Sequence, residues 1–327
     1  MILVVSLNPA LDITHEVSSV DWAGVNRPRT VHVRSGGKGV NVARTLRALG
    51  TEVTLAGLAG GAAGDELADR LCESGIKLAL TPISGQTRRT FTVVDAGRKQ
   101  AALFNEPGPA IDTGEFAEFF ASYKKAVAEC SAVVLAGSLP RGVDAAAYAK
   151  LIEVANVAGV PTILDTSGEA LRLGAAAAPT LVKPNRDELD AVTRPGLGVE
   201  QAARELSGGA VVVSLGTDGL MAVDGDQVWL ARPGEVVLGN ATGAGDAVVA
   251  GLADGLVRGL DWPDRLRQAV ALGTATVSSP VAGEYAAEAY HHHFANIEIR
   301  KNDNRNIHFR DICLRDMAGS DGADRRG

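Results

Sequence analysis

The stretch that decides the fold runs from Ala132-Val-Val-Leu-Ala136 through the helical run Ala145–Ala158 to Thr162-Ile-Leu-Asp165. A run that is apolar at nearly every position has no face to offer water, so it reads as a strand buried on both sides. The segment between two such runs is then the crossover helix that parallel pairing requires. The same alternation extends outward in both directions. Ile2–Ser6, Val53–Leu58, Leu181–Lys183 and Ala210–Leu215 are further buried strands, and Val40, Ala43, Leu46 and Leu49 mark a helix, as do Phe116–Val127 and Val199–Leu206. Strands alternating with helices predict an α/β fold: a doubly wound, mostly parallel sheet flanked by helices.

Two regions depart from this pattern. Ile13–Val17 with Thr30–Arg34, and Thr90–Val94 with Gln100–Phe104, mix polar and apolar positions, and Asp95-Ala-Gly-Arg-Lys99 reads as a hairpin connection. They predict a small antiparallel β lid, inserted at about 11–34 and 88–105 in one domain spanning 1–299. The chain then turns polar, and 300–327 reads as a loosely ordered tail.

Composition excludes several classes. The 327 residues carry 32 Lys and Arg against 39 Asp and Glu, a net charge of −7 that argues against a nucleic-acid binder. No stretch approaches the ~20 apolar residues of a membrane span, and the apolar N-terminus lacks the basic region of a signal peptide. Cys72, Cys130 and Cys313 are odd in number and far apart, which argues against disulfides and a zinc site and for the cytoplasm. Glycine is abundant, at 38 residues, and falls in short clusters.

The most informative cluster is Asn240-Ala-Thr-Gly-Ala-Gly-Asp246, which opens into the helical run Ala247–Val257. Small residues at a helix start leave backbone N–H groups free at the positive end of the helix dipole, an anion hole for a phosphoryl group in transfer. Asp246 at its edge is placed to take a proton from an attacking hydroxyl. Taken alone, the segment reads equally as a glycine loop with Asp246 as a helix cap. Ser35-Gly-Gly-Lys-Gly-Val-Asn-Val-Ala-Arg44 also opens a helix and puts Lys38 and Asn41 beside exposed backbone; its other reading is close helix–sheet packing. It is not a Walker A loop, since Gly39 follows the lysine, and no GxGxxG occurs, which removes a nicotinamide-dependent dehydrogenase.

Together with Asn8-Pro-Ala-Leu-Asp12, Gly137-Ser-Leu-Pro140, Lys183-Pro-Asn-Arg-Asp-Glu188 and Ser214-Leu-Gly216, these segments follow the order found in the ribokinase-like (PfkB) carbohydrate kinases. The chain resembles that family from Met1 to about Glu284, and within it the phosphosugar kinase branch. The resemblance implies ATP and Mg²⁺ as cofactors and Asp246 as catalytic base, with the amides of Gly243, Ala244 and Gly245 as anion hole. It implies that Asp12, Gly37 and Asn41 hold the sugar, and that Lys183, Asn185, Glu188, Ser214, Gly216 and Gly219 serve the nucleotide. Asn185 and Glu188 match a pair that holds Mg²⁺ through water. On the residues alone, Asn185 reads as well as a helix cap and Ser214 as a turn residue.

The branch further implies that Arg27, Lys38, Arg88 and Ser138 grip a phosphate already on the substrate, a task suited to the planar fork of arginine. Otherwise Arg27 and Arg88 read as solvated surface residues. Charge distribution agrees with an anionic substrate: residues 1–105 carry 12 basic against 9 acidic side chains, the remainder 20 against 30. The expected reaction is phosphorylation of fructose 1-phosphate to fructose 1,6-bisphosphate, with tagatose 6-phosphate or fructose 6-phosphate as the alternative acceptor. A sugar- or nucleotide-binding regulatory module is the rival from another class, and the intact Gly-Ala-Gly-Asp246 speaks against it. The branch also implies a homodimer through the lid. Asn240 departs from the Asp that many family members carry near a monovalent-cation site, which sets the resemblance against K⁺ activation. His291-His-His293 matches nothing in the family and reads as a solvated run rather than a metal site.

Overall fold

The computed structural model describes residues 1–98, 100–279 and 284–302. Its main sheet has ten strands. Seven are parallel, in the order Lys77–Pro82, Val53–Ala59, Ile2–Ser6, Ala132–Ala136, Thr162–Asp165, Leu181–Val182 and Ala210–Ser214. Leu220–Asp224, Gln227–Arg232 and Glu298–Lys301 extend it as antiparallel neighbours. Alternation along the first strand shows why these runs are apolar throughout. Ile2 and Val4 enter one core with the helices Lys38–Ala48, Gly61–Glu73, Ala244–Val257 and Trp262–Val277. Leu3 and Val5 enter the other, with Phe119, Tyr123, Tyr148, Leu151, Leu171 and Leu189 from the helices of the opposite layer. The sheet is therefore sandwiched, and its central strands carry polar residues mainly at their ends.

The lid is a four-stranded sheet ordered Thr30–Gly36, Ala10–Val17, Arg88–Asp95, Gln100–Asn105. Its two outer pairings are antiparallel, while the central pair, Ala10–Val17 with Arg88–Asp95, is parallel. Lys99 of the hairpin connection lies outside the described residues.

One boundary moves. Arg300 and Lys301, expected in the tail, belong to the strand Glu298–Lys301, which pairs with Trp229–Arg232. Backbone hydrogen bonding at an open sheet edge holds them in place although their side chains are polar. Residues 303–327, which hold the rest of the expected tail and Cys313, lie outside the described residues.

Ile2–Ser6 lies between Val53–Ala59 and Ala132–Ala136, so later strands are added on both sides of it and the strand order reverses there. Crevices at the carboxyl ends of strands beside such a switch point are where open α/β sheets bind ligands. Every candidate residue of the parallel strands lies at that end.

Candidate active site

A group of buried and half-buried charges forms where these strands end. Asp165, the last residue of Thr162–Asp165, is 1% exposed, and its Oδ1 lies 3.2 Å from Lys38 Nζ and 3.5 Å from Lys183 Nζ. Lys38 also approaches Glu188 Oε1 at 3.4 Å. Burial alone would weaken the ammonium charge on Lys38, but Asp165, Glu188 and Asp246 outweigh it and hold the group firmly protonated. Asp246 completes the cluster: it is buried, and its Oδ2 accepts from Asn41 Nδ2 at 2.8 Å. Desolvation, then the negative charge of Asp165, pushes the Asp246 carboxyl up to about 7, against the Asn41 hydrogen bond and the two lysines. Three carboxylates thus face two ammonium groups, and the excess negative charge makes a proton on Asp246 easy to hold near neutral pH.

Local sequence explains how Asp246 is presented. Gly243 adopts φ 85°, a left-handed conformation natural to glycine, and starts the helix Ala244–Val257 with no side-chain cap. Of the three amides expected to form the anion hole, that of Ala244 donates to the Ala241 carbonyl oxygen at 3.2 Å.

A polar cavity of about 180 Å³ adjoins the cluster, lined among others by Asn8, Lys38, Arg88, Ser138 and Glu188. Asn8 Nδ2 donates to Ser138 Oγ at 3.1 Å and Arg88 Nε to the Asn8 carbonyl oxygen at 3.2 Å. Asp12 Oδ1 accepts a hydrogen bond from Thr90 Oγ1. Burial raises the Asp12 carboxyl above its ordinary range, and Thr90, Arg88, Arg44 and Arg34 draw it back. Gly36 makes room for that carboxylate: a Cβ there would stand 1.8 Å from Asp12 Oδ2. Gly37 caps the helix that carries Lys38 and Asn41. Three of the four residues expected on a substrate phosphate, Lys38, Arg88 and Ser138, meet on this cavity. Arg27 does not; it is exposed on the connection between two lid strands.

A second, more open cavity of about 410 Å³ is lined by Asn185, Arg186, Asp187, Ser214, Leu215, Gly216 and Asp218. Gly219 closes the turn behind it, its carbonyl accepting from Leu215 N–H at 2.9 Å. Lys183 is turned away from this cavity into the charge cluster. Asn185 and Glu188 form a reciprocal capping box, Glu188 N–H donating to Asn185 Oδ1 at 2.7 Å and Asn185 N–H to Glu188 Oε2 at 2.9 Å. The cap leaves Glu188 Oε1 facing Lys38.

Asp165, Asn8 and Thr90 were not singled out by sequence. Asp165 leaves a signal, being the one acid that ends any of the six apolar runs read from the sequence as buried strands. Its Oδ2 is buried with no hydrogen-bond partner among the described residues. A carboxylate oxygen without a partner, in a cluster with excess negative charge where Lys38 joins Asp165 to Glu188, fits a hard divalent cation.

Residues 5–288 match the family model described as pfkB family carbohydrate kinase. The chain is 31% identical over 311 residues to a tagatose-6-phosphate kinase of Staphylococcus epidermidis, covering 91% of this chain and 99% of that protein. Its fold superposes on phosphofructokinase-2 from Escherichia coli in complex with potassium with a TM-score of 0.82 at 30% identity, covering 90% and 98% of the two chains. A Thermotoga maritima structure described as a possible 1-phosphofructokinase gives a TM-score of 0.81 at 25% identity, covering 92% and 99%.

Proposed function

The chain belongs to the pfkB family of carbohydrate kinases and is an ATP-dependent sugar phosphate kinase of that type; from this premise we propose that its acceptor is fructose 1-phosphate. The observation that supports a phosphorylated acceptor is the convergence of Lys38, Arg88 and Ser138 on one cavity, where Lys38 leads to the Asp246–Asn41 pair. Two cations and a hydroxyl suit a phosphate, while Asp12 and Asn41 offer an acceptor and an amide to neutral hydroxyls.

In this mechanism the 6-hydroxyl is held against Asp246. Its oxygen bonds to the γ-phosphorus of ATP as the bond to the β–γ bridging oxygen breaks, its proton passes to Asp246 Oδ, and ADP leaves. The helix N-terminus at Gly243–Gly245 faces the charge on the transferring group. Lys38 and Lys183 add fixed positive charge nearby. Asp165 and Glu188, with Asn185 behind them, would hold Mg²⁺, which when bound neutralises phosphate charge. The second cavity, with Ser214 and Gly216, takes the nucleotide.

Tagatose 6-phosphate is the second reading, favoured by the tagatose-6-phosphate kinase relative. An ADP-release assay over fructose 1-phosphate, fructose 6-phosphate, tagatose 6-phosphate and the free sugars decides. A kcat/KM at least tenfold above the other acceptors is expected for fructose 1-phosphate; equal turnover of free and phosphorylated sugars would overturn the phosphate-site assignment.

The same reading includes a homodimer through the lid. Val31 on one outer lid strand and Leu103 and Phe104 on the other are all more than half exposed, apolar area that a second copy would bury. Light scattering on Leu103→Asp should show a monomer where the unmodified chain is a dimer. Cys72 and Cys130 are free thiols, in keeping with a cytoplasmic enzyme. No helix of the described residues is long and apolar enough to cross a membrane.

A further inference from the structure

The kinase site makes no use of His291-His-His293. These residues lie in the helix Ala287–Ala295, where their side chains part. The His291 ring packs against Tyr290, 5.3 Å between centroids. His292 and His293 instead turn to one acceptor: His292 Nε2 lies 3.1 Å and His293 Nδ1 3.6 Å from Glu235 Oε1. The expected solvated run is thus broken, because the His293 side chain is only 8% exposed, while His292 and Glu235 remain open to solvent.

We propose that Glu235, His292 and His293 form a binding site for a borderline divalent transition-metal ion, with Zn²⁺ as the reference case. Their three ligand atoms lie within 4.8 Å of one another. Ligands ~2.0–2.1 Å from a tetrahedral ion stand roughly 3.3 Å apart, close to both separations from Glu235 Oε1. Two imidazole nitrogens with one carboxylate select this class of metal over Mg²⁺ and Ca²⁺, which prefer oxygen alone. Three protein ligands leave the fourth position to water.

The fold holds the two sides of the site together. Arg232 pairs with Glu298 in the main sheet, which brings the segment after one strand against the helix before the other. Gly234 packs so closely there that a Cβ would stand 2.4 Å from the Asn296 carbonyl oxygen. Glu235 also lies on the connection from Gln227–Arg232 to Gly243, so a bound ion would fasten the approach to the catalytic helix onto the helix Ala287–Ala295.

The test is calorimetric titration of the untagged, chelator-stripped full chain with Zn²⁺ in excess Mg²⁺, which occupies the all-oxygen carboxylate cluster. One saturable site per chain is expected. His292→Ala and Glu235→Gln should each weaken it at least tenfold with an unchanged melting temperature in the absence of metal, and His291→Ala should leave it within about twofold. Absence of saturable binding, retention of affinity in His292→Ala, or an equal loss in His291→Ala would each overturn the proposal.

Discussion

Asn41 Nδ2 donates to Asp246 Oδ2 at 2.8 Å, joining residues 205 positions apart in the chain. The bond ties the first turn of the helix Lys38–Ala48 to the first turn of Ala244–Val257. One oxygen of Asp246, the base in the proposed function, is thereby oriented. Asn41 lowers the affinity of Asp246 for a proton, while burial and Asp165 raise it. The balance sets both when the Asp246 carboxylate is free of its proton and how much the folded chain gives up to keep it buried.

Asp246→Asn removes the base but keeps the shape and a carbonyl oxygen for Asn41. Kcat should fall by about 10²–10⁴, the usual contribution of a positioned general base, while the affinity for ATP stays within a few fold. The variant should also gain stability above neutral pH. The folded group binds its proton more tightly than the unfolded one, so its contribution to stability is full below pH 3.8 and is lost as pH rises through about 7. Substituting the neutral amide avoids that loss. Thermal melts at pH 8 should therefore place Asp246→Asn above the unmodified chain, by roughly 1–2 °C for each kcal/mol regained in a chain of this length. Near-normal turnover would refute the base assignment.

The pH profile tests the environment of the base. Asp246 must be deprotonated to act, so log kcat/KM should rise with unit slope up to a limb near pH 7 and then level off. Asn41→Ala removes an interaction that favours the carboxylate, so the limb should move to higher pH. Asp165→Asn removes a neighbouring negative charge, so it should move to lower pH. Opposite shifts in the two variants are the expected result; identical profiles would show that another group controls the limb.

The residues that sequence reading located best are those whose surroundings are uniform. Ile2–Ser6 and Ala132–Ala136 are buried on both faces, so every position carries the same apolar signal. Lys77–Pro82 is a half-exposed edge strand and Glu298–Lys301 is mostly polar, so neither stands out from a loop without its pairing partner. The site divides in the same way. Asp246, Asn41 and Lys38 sit in glycine-marked segments whose local form has a chemical purpose. Asp165 gains its meaning only when the fold brings in Lys38, 127 positions away, and Lys183. The capping box explains why Asn185 read two ways: one residue pair starts a helix and still leaves Glu188 Oε1 facing the charge cluster.

Arg88→Ala should separate substrate affinity from chemistry. Arg88 reaches the cavity from the lid, where its Nε is held by the Asn8 carbonyl oxygen. Its role in the proposed function is phosphate recognition, and charge-assisted hydrogen bonds of this kind contribute about 1.5–3 kcal/mol. KM for the sugar phosphate should rise by about 10- to 100-fold with kcat changed far less, and KM for MgATP should stay constant. The preference over the unphosphorylated sugar should shrink by the same factor. A fall in kcat with KM unchanged would place Arg88 in the chemical step instead.

Gly36→Ala asks whether Asp12 is positioned by the absence of a side chain. A Cβ at residue 36 would stand 1.8 Å from Asp12 Oδ2 and 2.2 Å from its Cγ, so one of the two must move. Asp12 can give way by rotating, at the cost of its bond from Thr90 Oγ1. The strand pairing of Gly36 with Ala10 is backbone and survives. The fold should therefore tolerate the change, with a melting temperature within roughly 2–4 °C of the unmodified chain. Sugar binding should not tolerate it: KM for the acceptor should rise about tenfold, the loss expected when one hydrogen bond of about 1.4 kcal/mol is misplaced. Asp12→Ala should raise KM at least as far, and the double variant no further than Asp12→Ala alone, because both act through one carboxylate. Additive losses in the double variant would show that Gly36 serves the site by some route other than Asp12.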